Sequence, residues 1–376
     1  MYSEKLRNLE ERNLLRYLKD RDSAQGPKVR FNGREYINFS SNDYLGLANH
    51  PYLIEKVKKT LDEYGFGSGA SRLLSGGTVL HKHLEEKVAQ FKDTESSLVF
   101  NSGYAANTGV IPALADEDTA LFSDELNHAS IIDGCRLSTA RTLVYRHKDV
   151  AHLEELMKKE GPKKKIILTD TVFSMDGDIA PLRELTDICK NYDAVLYLDE
   201  AHATGVIGHG KGALAHFALR PEPWIIQMGT FSKALGSFGA FLAGTSGVAL
   251  WLLNNARSFM FSTALPSCVV AASLAALELI ENNSLLINRL WENRERAARG
   301  IKNIGYDIMK SVTPIIPVKT GTIENTLNMS NYLFEKGIFA PSIRPPTVKE
   351  PRIRINITAA HTDEDIEMLI EALKKA

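Results

Sequence analysis

Cysteine is scarce in this chain of 376 residues, which contains only Cys135, Cys189 and Cys268. Their number is odd and their spacing matches no metal-binding pattern, so the sequence predicts neither a disulfide framework nor a metal site. Thiols that stay free are typical of proteins in a reducing compartment. We therefore expect a cytoplasmic protein.

An excess of charge of either sign is also lacking. The chain has 45 basic and 46 acidic residues, which gives a formal net charge of -1. Because so balanced a composition creates no long-range field, we expect neither nucleic acid nor a membrane surface as a partner. No uninterrupted apolar stretch is long enough to span a bilayer, and the N-terminal residues are charged rather than apolar.

Apolar runs of strand length recur between residues 97 and 244, and helix-like segments separate most of them. The runs are Leu98–Phe100, Ala120–Phe122, Thr142–Tyr145, Ile166–Thr169, Ala194–Leu198, Trp224–Met228 and Phe241–Ala243. Repeated alternation of strand and helix predicts an α/β fold, in which a mostly parallel sheet carries helices on both faces.

Three regions are predicted along the chain. Residues 1–45 form an arm, in which an amphipathic helix over Met1–Arg21 precedes a β-hairpin that turns at Asn32-Gly33. Residues 46–266 form the large domain that contains the sheet. Residues 267–376 form a smaller α+β domain.

The smaller domain begins with a long helical pattern from Ser267 to about Lys302, interrupted at Asn282-Asn283. Further strands and helices are predicted behind it. The strands are Tyr306–Lys310, Ile315–Lys319, Ile338–Pro341 and Arg352–Ile357, and the helices are Glu324–Lys336 and Thr362–Lys375.

Lys233 is unusual because no other charged residue lies between Glu222 and Arg257. It follows the apolar run Trp224–Met228, so it falls in a loop at a sheet edge, where open α/β sheets place their ligands. Partial burial would lower the pKa of this lysine and supply the neutral amine that a Schiff base with a carbonyl cofactor requires. A lysine that merely reaches out of a glycine-rich turn is an equally good interpretation of this segment alone.

Other predicted strands also end in polar or glycine-rich residues. The segments that follow them are 101–107, 124–130, 170–178 and 199–202. Taken singly, His128 could cap a helix, Asp199 could satisfy a backbone group and His202 could lie on the surface. Together they favour a ligand site, in which an acid such as Asp199 could pair with the nitrogen of a pyridine cofactor while His128 stacks on its ring.

Five motifs considered together resemble the α-oxoamine synthases. They are SGYAAN at Ser102–Asn107, LNHAS at Leu126–Ser130, VFSMDGD at Val172–Asp178, DEAH at Asp199–His202 and GTFSKALGSFG at Gly229–Gly239. The resemblance extends from SSNDYLGL at Ser40–Leu47 to RIRINITAAHT at Arg352–Thr362. It implies an aspartate-aminotransferase-like fold (PLP fold type I), pyridoxal 5'-phosphate as the cofactor, and a homodimer with sites at its interface.

The resemblance also implies roles for individual residues. Lys233, Asp199 and His128 form the catalytic set: the Schiff-base lysine, the partner of the ring nitrogen and the stacking ring. The remaining cofactor-binding positions are Gly103 and Tyr104 at the phosphate through their backbone, Thr230 and a further candidate, Ser232, through their hydroxyls, and Ser174 and His202 at the phenolic oxygen of the ring. Tyr104 departs from the phenylalanine of many relatives, a change to which a backbone contact is indifferent.

Substrate-binding positions are carried over in the same way. They are Arg16, Asn42, His128, Thr347 and Arg354, of which Arg354 matches the arginine that holds the carboxylate of the amino acid. Members of this family join an amino acid to an acyl thioester with loss of carbon dioxide.

Within the family, the loop GSGASRLLSGG at Gly67–Gly77 and the compact length most resemble the members that use L-alanine and a pimeloyl thioester, so the resemblance implies these substrates. The acyl group could arrive on coenzyme A or on a carrier protein. The resemblance implies that the reaction is a step of biotin biosynthesis. A glycine C-acetyltransferase would share every catalytic residue and is the first alternative. An aminotransferase and a cofactor-free scaffold of the same fold are the others.

Overall fold

A computed structural model describes residues 2–160 and 164–376 of the chain. The chain forms two compact units. The large unit comprises His50–Phe173 and Ile179–Ile287, and the second unit comprises Met1–Asn49, Ser174–Asp178 and Asn288–Ala376. The sequence-based boundaries at residues 45 and 266 stay predictions, because a compact unit need not coincide with a domain that folds independently.

Thirteen strands are formed by the described residues. They are β1 (Lys28–Phe31), β2 (Arg34–Asn38), β3 (Ser96–Phe100), β4 (Thr119–Asp124), β5 (Arg141–Tyr145), β6 (Lys164–Asp170), β7 (Ala194–Asp199), β8 (Ile225–Thr230), β9 (Ala240–Gly244), β10 (Ile315–Lys319), β11 (Ile338–Phe339), β12 (Ser342–Ile343) and β13 (Arg352–Asn356).

Fourteen helices accompany them in the same part of the chain. They are α1 (Ser3–Glu11), α2 (Pro51–Tyr64), α3 (Val79–Lys92), α4 (Gly103–Leu114), α5 (Ala129–Leu137), α6 (Val150–Lys159), α7 (Leu182–Tyr192), α8 (Ala213–His216), α9 (Ser246–Asn255), α10 (Arg257–Met260), α11 (Ser267–Asn282), α12 (Ser284–Asn303), α13 (Ile323–Glu335) and α14 (Asp363–Leu373).

The large unit contains a seven-stranded sheet in the order β3-β9-β8-β7-β6-β4-β5. All its neighbouring pairs are parallel except those of β9, which runs antiparallel to both β3 and β8. Each of the seven strands coincides with an apolar run identified in the sequence. The prediction of an α/β fold with a mostly parallel sheet is confirmed.

Burial on both faces explains why these strands read as continuous apolar runs. Every residue of β4, β8 and β9 is buried. Helix α4 packs on the sheet through Ala106, Val110 and Ile111, which belong to the same apolar cluster as Tyr197 and Met228. The core therefore fixes the backbone at the ends of the strands, where the polar residues begin.

The connection between β8 and β9 carries Lys233 and is closed by hydrogen bonds at its base. Phe231 N donates to Gly239 O at 2.9 Å, and Ser237 N donates to Phe231 O at 2.9 Å. Inside the loop, Gly236 N donates to Lys233 O at 2.9 Å. Because β9 pairs antiparallel with β8, this loop joins adjacent strands directly, without a crossover helix.

The second unit contains two three-stranded sheets, β1-β2-β11 and β10-β13-β12. Asn32 and Gly33 both have positive φ, at 51° and 74°, which is the type I′ turn predicted for this hairpin. Ile353 and Ile355 of β13 and Leu369 of α14 are fully buried in the core of this unit. The interruption at Asn283 is confirmed, since the Asn283 side chain accepts a hydrogen bond from Leu285 N at the start of α12.

Two sequence-based predictions in the second unit are wrong in extent or type. The N-terminal helix ends at Glu11 instead of continuing to residue 21, because Asn13 adopts a φ of 55° and α1 buries none of its residues. The segment 306–310 is a turn and not a strand. There Asp307 Oδ1 accepts from Met309 N at 2.7 Å, and Met309 has a φ of 57°.

Within the described ranges, no single helix combines the length and the apolar composition needed to cross a bilayer. Helices α11 and α12 meet that test only together, as a pair broken at Asn283.

Candidate active site

Two buried carboxyl groups lie side by side at the carboxyl edge of the large sheet. Asp170 ends β6 and Asp199 ends β7, and the two residues are directly paired in register. Asp199 Oδ2 accepts from Asn107 Nδ2 at 2.8 Å, and Asp199 Oδ1 accepts from Ala201 N at 2.9 Å. Both oxygens of Asp199 are therefore held in place by donors.

The Asp170 carboxyl group accepts a hydrogen bond through Oδ2 from the backbone N of His128 at 2.7 Å. Burial, and then the charge of Asp199, raise the pKa of Asp170 well above its ordinary value, while Lys233 and the His128 hydrogen bond oppose the shift. Burial and the neighbouring carboxyl group therefore oppose ionisation of Asp170.

His128 caps the N-terminus of α5, as the sequence allowed. Its Nδ1 accepts from Ser130 N at 3.2 Å and lies 2.7 Å from Ser130 Oγ, while another part of the ring is accessible to solvent. Desolvation lowers the pKa of His128, the charge of Asp199 raises it and the charge of Lys233 lowers it, for a net decrease. At neutral pH the ring is therefore uncharged, as a ring that stacks on a cofactor should be.

Lys233 is half-buried in the loop between β8 and β9. Its positive charge acts on the pKa values of both His128 and Asp170, which places its ammonium group within electrostatic range of the two. The structure thus brings together Lys233, His128 and Asp199, the three residues predicted to be catalytic.

An anion-binding cradle is formed at the start of α4. Ser102 caps this helix by accepting from Ala105 N at 3.1 Å, and the first-turn N–H groups of a helix have no partners within it. A side chain at Gly103 would place its Cβ 2.8 Å from Thr230 Cγ2. The buried Thr230 Oγ1 has no hydrogen-bond partner among the described residues. Gly103, Tyr104 and Thr230 therefore fit the phosphate predicted from the sequence.

The remaining predicted cofactor residues fall in both units. His202 is buried in the loop that follows β7 in the large unit. Ser174 belongs to the second unit, where its carbonyl oxygen accepts from Arg354 Nε at 2.6 Å. Ser232 is exposed in the Lys233 loop. The contacts of these residues with a cofactor stay predictions.

Arg354 and Asn42 are brought together in the second unit. Arg354 Nη2 donates to Asn42 Oδ1 at 3.1 Å. Burial lowers the pKa of Arg354, and its interaction with the Tyr44 hydroxyl opposes that shift. A buried guanidinium held by neutral oxygens retains its positive charge for an anionic ligand such as a carboxylate.

Arg16 and Thr347 lie at one turn of the second unit. Arg16 Nη2 donates to Arg344 O at 3.3 Å and to Pro345 O at 3.1 Å, and Thr347 N donates to Arg344 O at 3.1 Å. Arg344 in turn donates from Nε to Asn13 O at 2.7 Å. The chain after α1 is thereby fastened to the turn that carries Thr347.

Sequence reasoning missed several residues that contact the predicted catalytic set. Asn107 and Ser130 were part of recognised motifs but received no role, and Asp170 was noted only as a polar strand end. A signal was present for Asn107, which is a polar residue in the mostly apolar helix α4 and is fully buried. Among residues 2–160 and 164–376, no group of three or more His, Cys, Asp or Glu side chains is arranged to hold a metal ion.

The family model for aminotransferase class I and II matches residues 34–373, and the chain belongs to this family. It is 54% identical to a putative 8-amino-7-oxononanoate synthase from Thermodesulfovibrio yellowstonii, over 99% of this chain and 96% of the relative. It is 45% identical to the 8-amino-7-oxononanoate synthase of Thermoanaerobacter pseudethanolicus, over 99% and 95%.

Among solved structures, a serine palmitoyltransferase from S. paucimobilis with a bound PLP-myriocin aldimine superposes with a TM-score of 0.94. The two chains are 27% identical, and the match covers 99% of this chain and 95% of that one. The predicted resemblance to α-oxoamine synthases and the aspartate-aminotransferase-like fold are confirmed.

Proposed function

We propose that this protein catalyses the pyridoxal-phosphate-dependent condensation of L-alanine with a pimeloyl thioester, with loss of carbon dioxide. This is the reaction of 8-amino-7-oxononanoate synthases in biotin biosynthesis, and it makes the protein an acyltransferase. The observation that carries the proposal is the meeting of Lys233, uncharged His128 and hydrogen-bonded Asp199 at one sheet edge. Similarity over 99% of the chain to proteins of that name supports the choice of substrates.

Pyridoxal phosphate, when bound, supplies an electron-poor ring that stabilises negative charge at the Cα of the amino acid. Its phosphate would be held by the first-turn N–H groups of Gly103 and Tyr104 and by the hydroxyl of Thr230, whose oxygen lacks a partner among the described residues. Asp199 would hold the proton of the ring nitrogen, and the accessible part of the His128 ring would stack on the cofactor. His202 and Ser174 are proposed to contact the phenolic oxygen of the ring.

Lys233 is proposed to hold the aldehyde carbon of the cofactor and then to move a proton. With the cofactor bound and the amino acid in place of its Nζ, the amine of Lys233 would be positioned to accept the Cα proton and to return it later. Asp199 would keep the ring nitrogen protonated, and the protonated ring would best stabilise the negative charge left at Cα when its proton is removed. Asp199→Asn should therefore retain substrate binding and lose most turnover.

Arg354 is proposed to bind the carboxylate of the amino acid, with Asn42 as its neighbour at 3.1 Å. The guanidinium is positively charged and already oriented by hydrogen bonds, so binding a carboxylate costs it little ordering. Arg16 and Thr347, together at their turn, are proposed to contact substrate as well. The acyl carrier, coenzyme A or a protein, is left to experiment.

A homodimer is proposed on the basis of exposed apolar side chains of the large unit. Phe66, Leu74 and Phe261 are each at least 70% exposed, and the loops near Leu74 and Phe261 are joined by a bridge between Ser71 and Thr263. Apolar side chains grouped in this way are typical of a surface that another subunit covers. The substitution pair Leu74→Glu and Phe261→Glu should lower the mass measured by light scattering, whereas Leu285→Glu, at another exposed leucine, should not.

A cytoplasmic location is proposed because Cys135, Cys189 and Cys268 are buried free thiols, which suit a reducing compartment.

The proposed function is tested by the visible absorbance of the purified protein and by thiol release. L-alanine or glycine is supplied with pimeloyl-CoA or acetyl-CoA, and the product is identified by mass. Release that depends on alanine and pimeloyl-CoA supports the proposal. Turnover confined to glycine and acetyl-CoA would instead assign the protein as a glycine C-acetyltransferase, and a protein that takes up no pyridoxal phosphate would refute it.

Two variants accompany this assay. Lys233→Ala should abolish turnover, because it removes both the attachment point and the proton carrier. Lys190→Ala, at an exposed lysine of α7, is the matched control and should behave like the original protein. Normal turnover by Lys233→Ala would contradict the assignment of Lys233.

A further inference from the structure

One buried amide group, that of Asn107, joins three side chains of the large unit. Asn107 Nδ2 donates to Asp199 Oδ2 at 2.8 Å and to Ser130 Oγ at 2.8 Å. Asn107 Oδ1 accepts from the hydroxyl of Tyr197 at 2.7 Å. The amide nitrogen thus uses both of its hydrogens, one toward Asp199 and one toward the residue that contacts His128.

The orientation of this amide is set by its neighbours. A carboxylate only accepts hydrogen bonds, so the side of the amide that faces Asp199 must be the NH2 group. A flipped amide would place Oδ1 against Asp199 Oδ2, with two acceptors at 2.8 Å and no hydrogen between them. Tyr197, which can donate, occupies the oxygen side.

The second hydrogen of Asn107 goes to Ser130 Oγ, which leaves the hydroxyl hydrogen of Ser130 to point toward His128. A backbone N–H can only donate, so the bond from Ser130 N at 3.2 Å requires His128 Nδ1 to carry no proton. The hydroxyl of Ser130, 2.7 Å from the same Nδ1, must then donate to it. The lone pairs of this hydroxyl are left to accept from Asn107. The single proton of the neutral imidazole consequently lies on Nε2.

The charged groups around His128 agree with this arrangement. The charge of Asp199 raises the pKa of His128, and the charge of Lys233 lowers it. Asp170 accepts a hydrogen bond from the backbone N–H of His128 and not from its ring. The N–H and the hydroxyl of Ser130 both donate to Nδ1. They oppose protonation of Nδ1, because its new hydrogen would point at these two donors.

We propose that Asn107 is a positioning residue that holds Asp199 and His128 in one hydrogen-bonded unit, orienting the carboxylate directly and fixing His128, through Ser130, as the neutral Nε2–H tautomer. The inference rests on the proposed function for its catalytic meaning, since Asp199 and His128 are there the partners of the cofactor ring. Its consequence is that loss of one amide disturbs both partners at once.

The tautomer is read directly by nitrogen chemical shifts of the histidine rings in the full-length protein, measured with and without pyridoxal phosphate. The His128 signals are assigned by their loss in His128→Asn. We expect Nδ1 without a proton and Nε2 with one at pH 7 and above. Ser130→Ala removes the hydroxyl that donates to Nδ1, so about tenfold more of the cation should form at a given pH, the effect of one hydrogen bond.

Three further variants separate positioning from mere stability. Ser130→Thr keeps the hydroxyl and should restore the original ring signals. Thr186→Val removes another buried helix hydroxyl, that of α7, and should leave His128 unchanged. Asn107→Leu should alter His128 and also shift the pH profile of the cofactor absorbance, with kcat falling about ten- to a hundredfold and KM changing less.

The outcomes are distinct. A protonated Nδ1 in the original protein overturns the proposal, and so do unchanged His128 signals and an unchanged pH profile in both Ser130→Ala and Asn107→Leu. If Asn107→Leu does not fold, the His128 ring signals of Ser130→Ala and Ser130→Thr decide whether the proposal holds. A protein that shows the expected tautomer but takes up no pyridoxal phosphate supports the Asn107 arrangement and refutes the proposed function.

Discussion

Gly103→Ala should weaken the binding of pyridoxal phosphate by filling the cradle at the start of α4. The added Cβ would lie 2.8 Å from Thr230 Cγ2, whereas carbon atoms approach one another to about 3.5–4.0 Å. The overlap of roughly 0.7–1.2 Å must be relieved by displacing Thr230 or the first turn of α4, the two groups proposed to bind the phosphate.

The magnitude follows from the cost of such overpacking, which is about 1–3 kcal/mol. If that cost falls on the arrangement that binds the phosphate, the Kd for pyridoxal phosphate rises roughly 5- to 150-fold. The backbone itself favours the change, since Ala is the better helix former by about 1 kcal/mol, so little of the loss should appear in the free energy of unfolding.

The assay is a titration of the protein with pyridoxal phosphate, followed by absorbance and by quenching of protein fluorescence. Gly247→Ala is the matched control, because Gly247 also lies in the first turn of a helix, α9, and its Cβ would meet only Thr245 Oγ1 at 3.9 Å. Equal Kd values for Gly103→Ala and Gly247→Ala would refute the placement of the phosphate.

Three further outcomes follow from buried polar groups. Arg354→Lys should raise the KM for L-alanine about ten- to a hundredfold with an unchanged Kd for pyridoxal phosphate, and an unchanged KM would contradict its carboxylate role. Burial lowers the pKa of His361 from 6.5 to about 4, so the unfolded chain takes up this proton first and stability is lost as pH falls from 6.5 toward 4. When the free energy of unfolding in urea is plotted against pH, its slope in this range should be smaller in His361→Gln than in the original protein, by up to about 1.4 kcal/mol per pH unit. Equal slopes in the two proteins would refute the assignment. Lys92→Met should lower the free energy of unfolding by about 3–5 kcal/mol, because it leaves the buried Glu200 carboxylate without its ion-pair partner. Adding Glu200→Leu should restore most of this free energy. A loss below about 1 kcal/mol in Lys92→Met, measured by urea unfolding, would contradict the prediction.

The large sheet could be predicted from sequence because its strands are buried on both faces. A run such as Ala120–Phe122 has to be apolar throughout, and polar residues then mark the strand end at Asp124. Lys233 was recognisable for a related reason, since it is a lone charge among small residues. Local composition therefore revealed where the strands end and which residues stand there.

Hydrogen bonds between distant residues could not be predicted in this way. Asn107 and Asp199 are 92 positions apart, and their contact depends on α4 packing beside β7. The partner of Glu200, Lys92, is 108 positions away at the end of α3, so nothing in the sequence near either residue connects the two. In the N-terminal arm the error had the opposite cause: the helical pattern continued past Glu11, but α1 buries no residue that would stabilise more turns.

The closed base of the β8–β9 loop sets a limit on how this site can be re-engineered. The loop is flanked by β8 and β9, which are paired in register with Thr230 opposite Ala240. Backbone hydrogen bonds join Phe231 to Gly239 and to Ser237 across the base of the loop. A residue inserted inside the loop would displace Lys233 from the backbone position that this closure sets, whereas the four methylenes of Lys233 can extend or retract on a fixed backbone. In an insertion scan, residues 232–238 should be intolerant, and the backbone amides of Phe231 and Ser237 should exchange their hydrogens as slowly as those of the sheet.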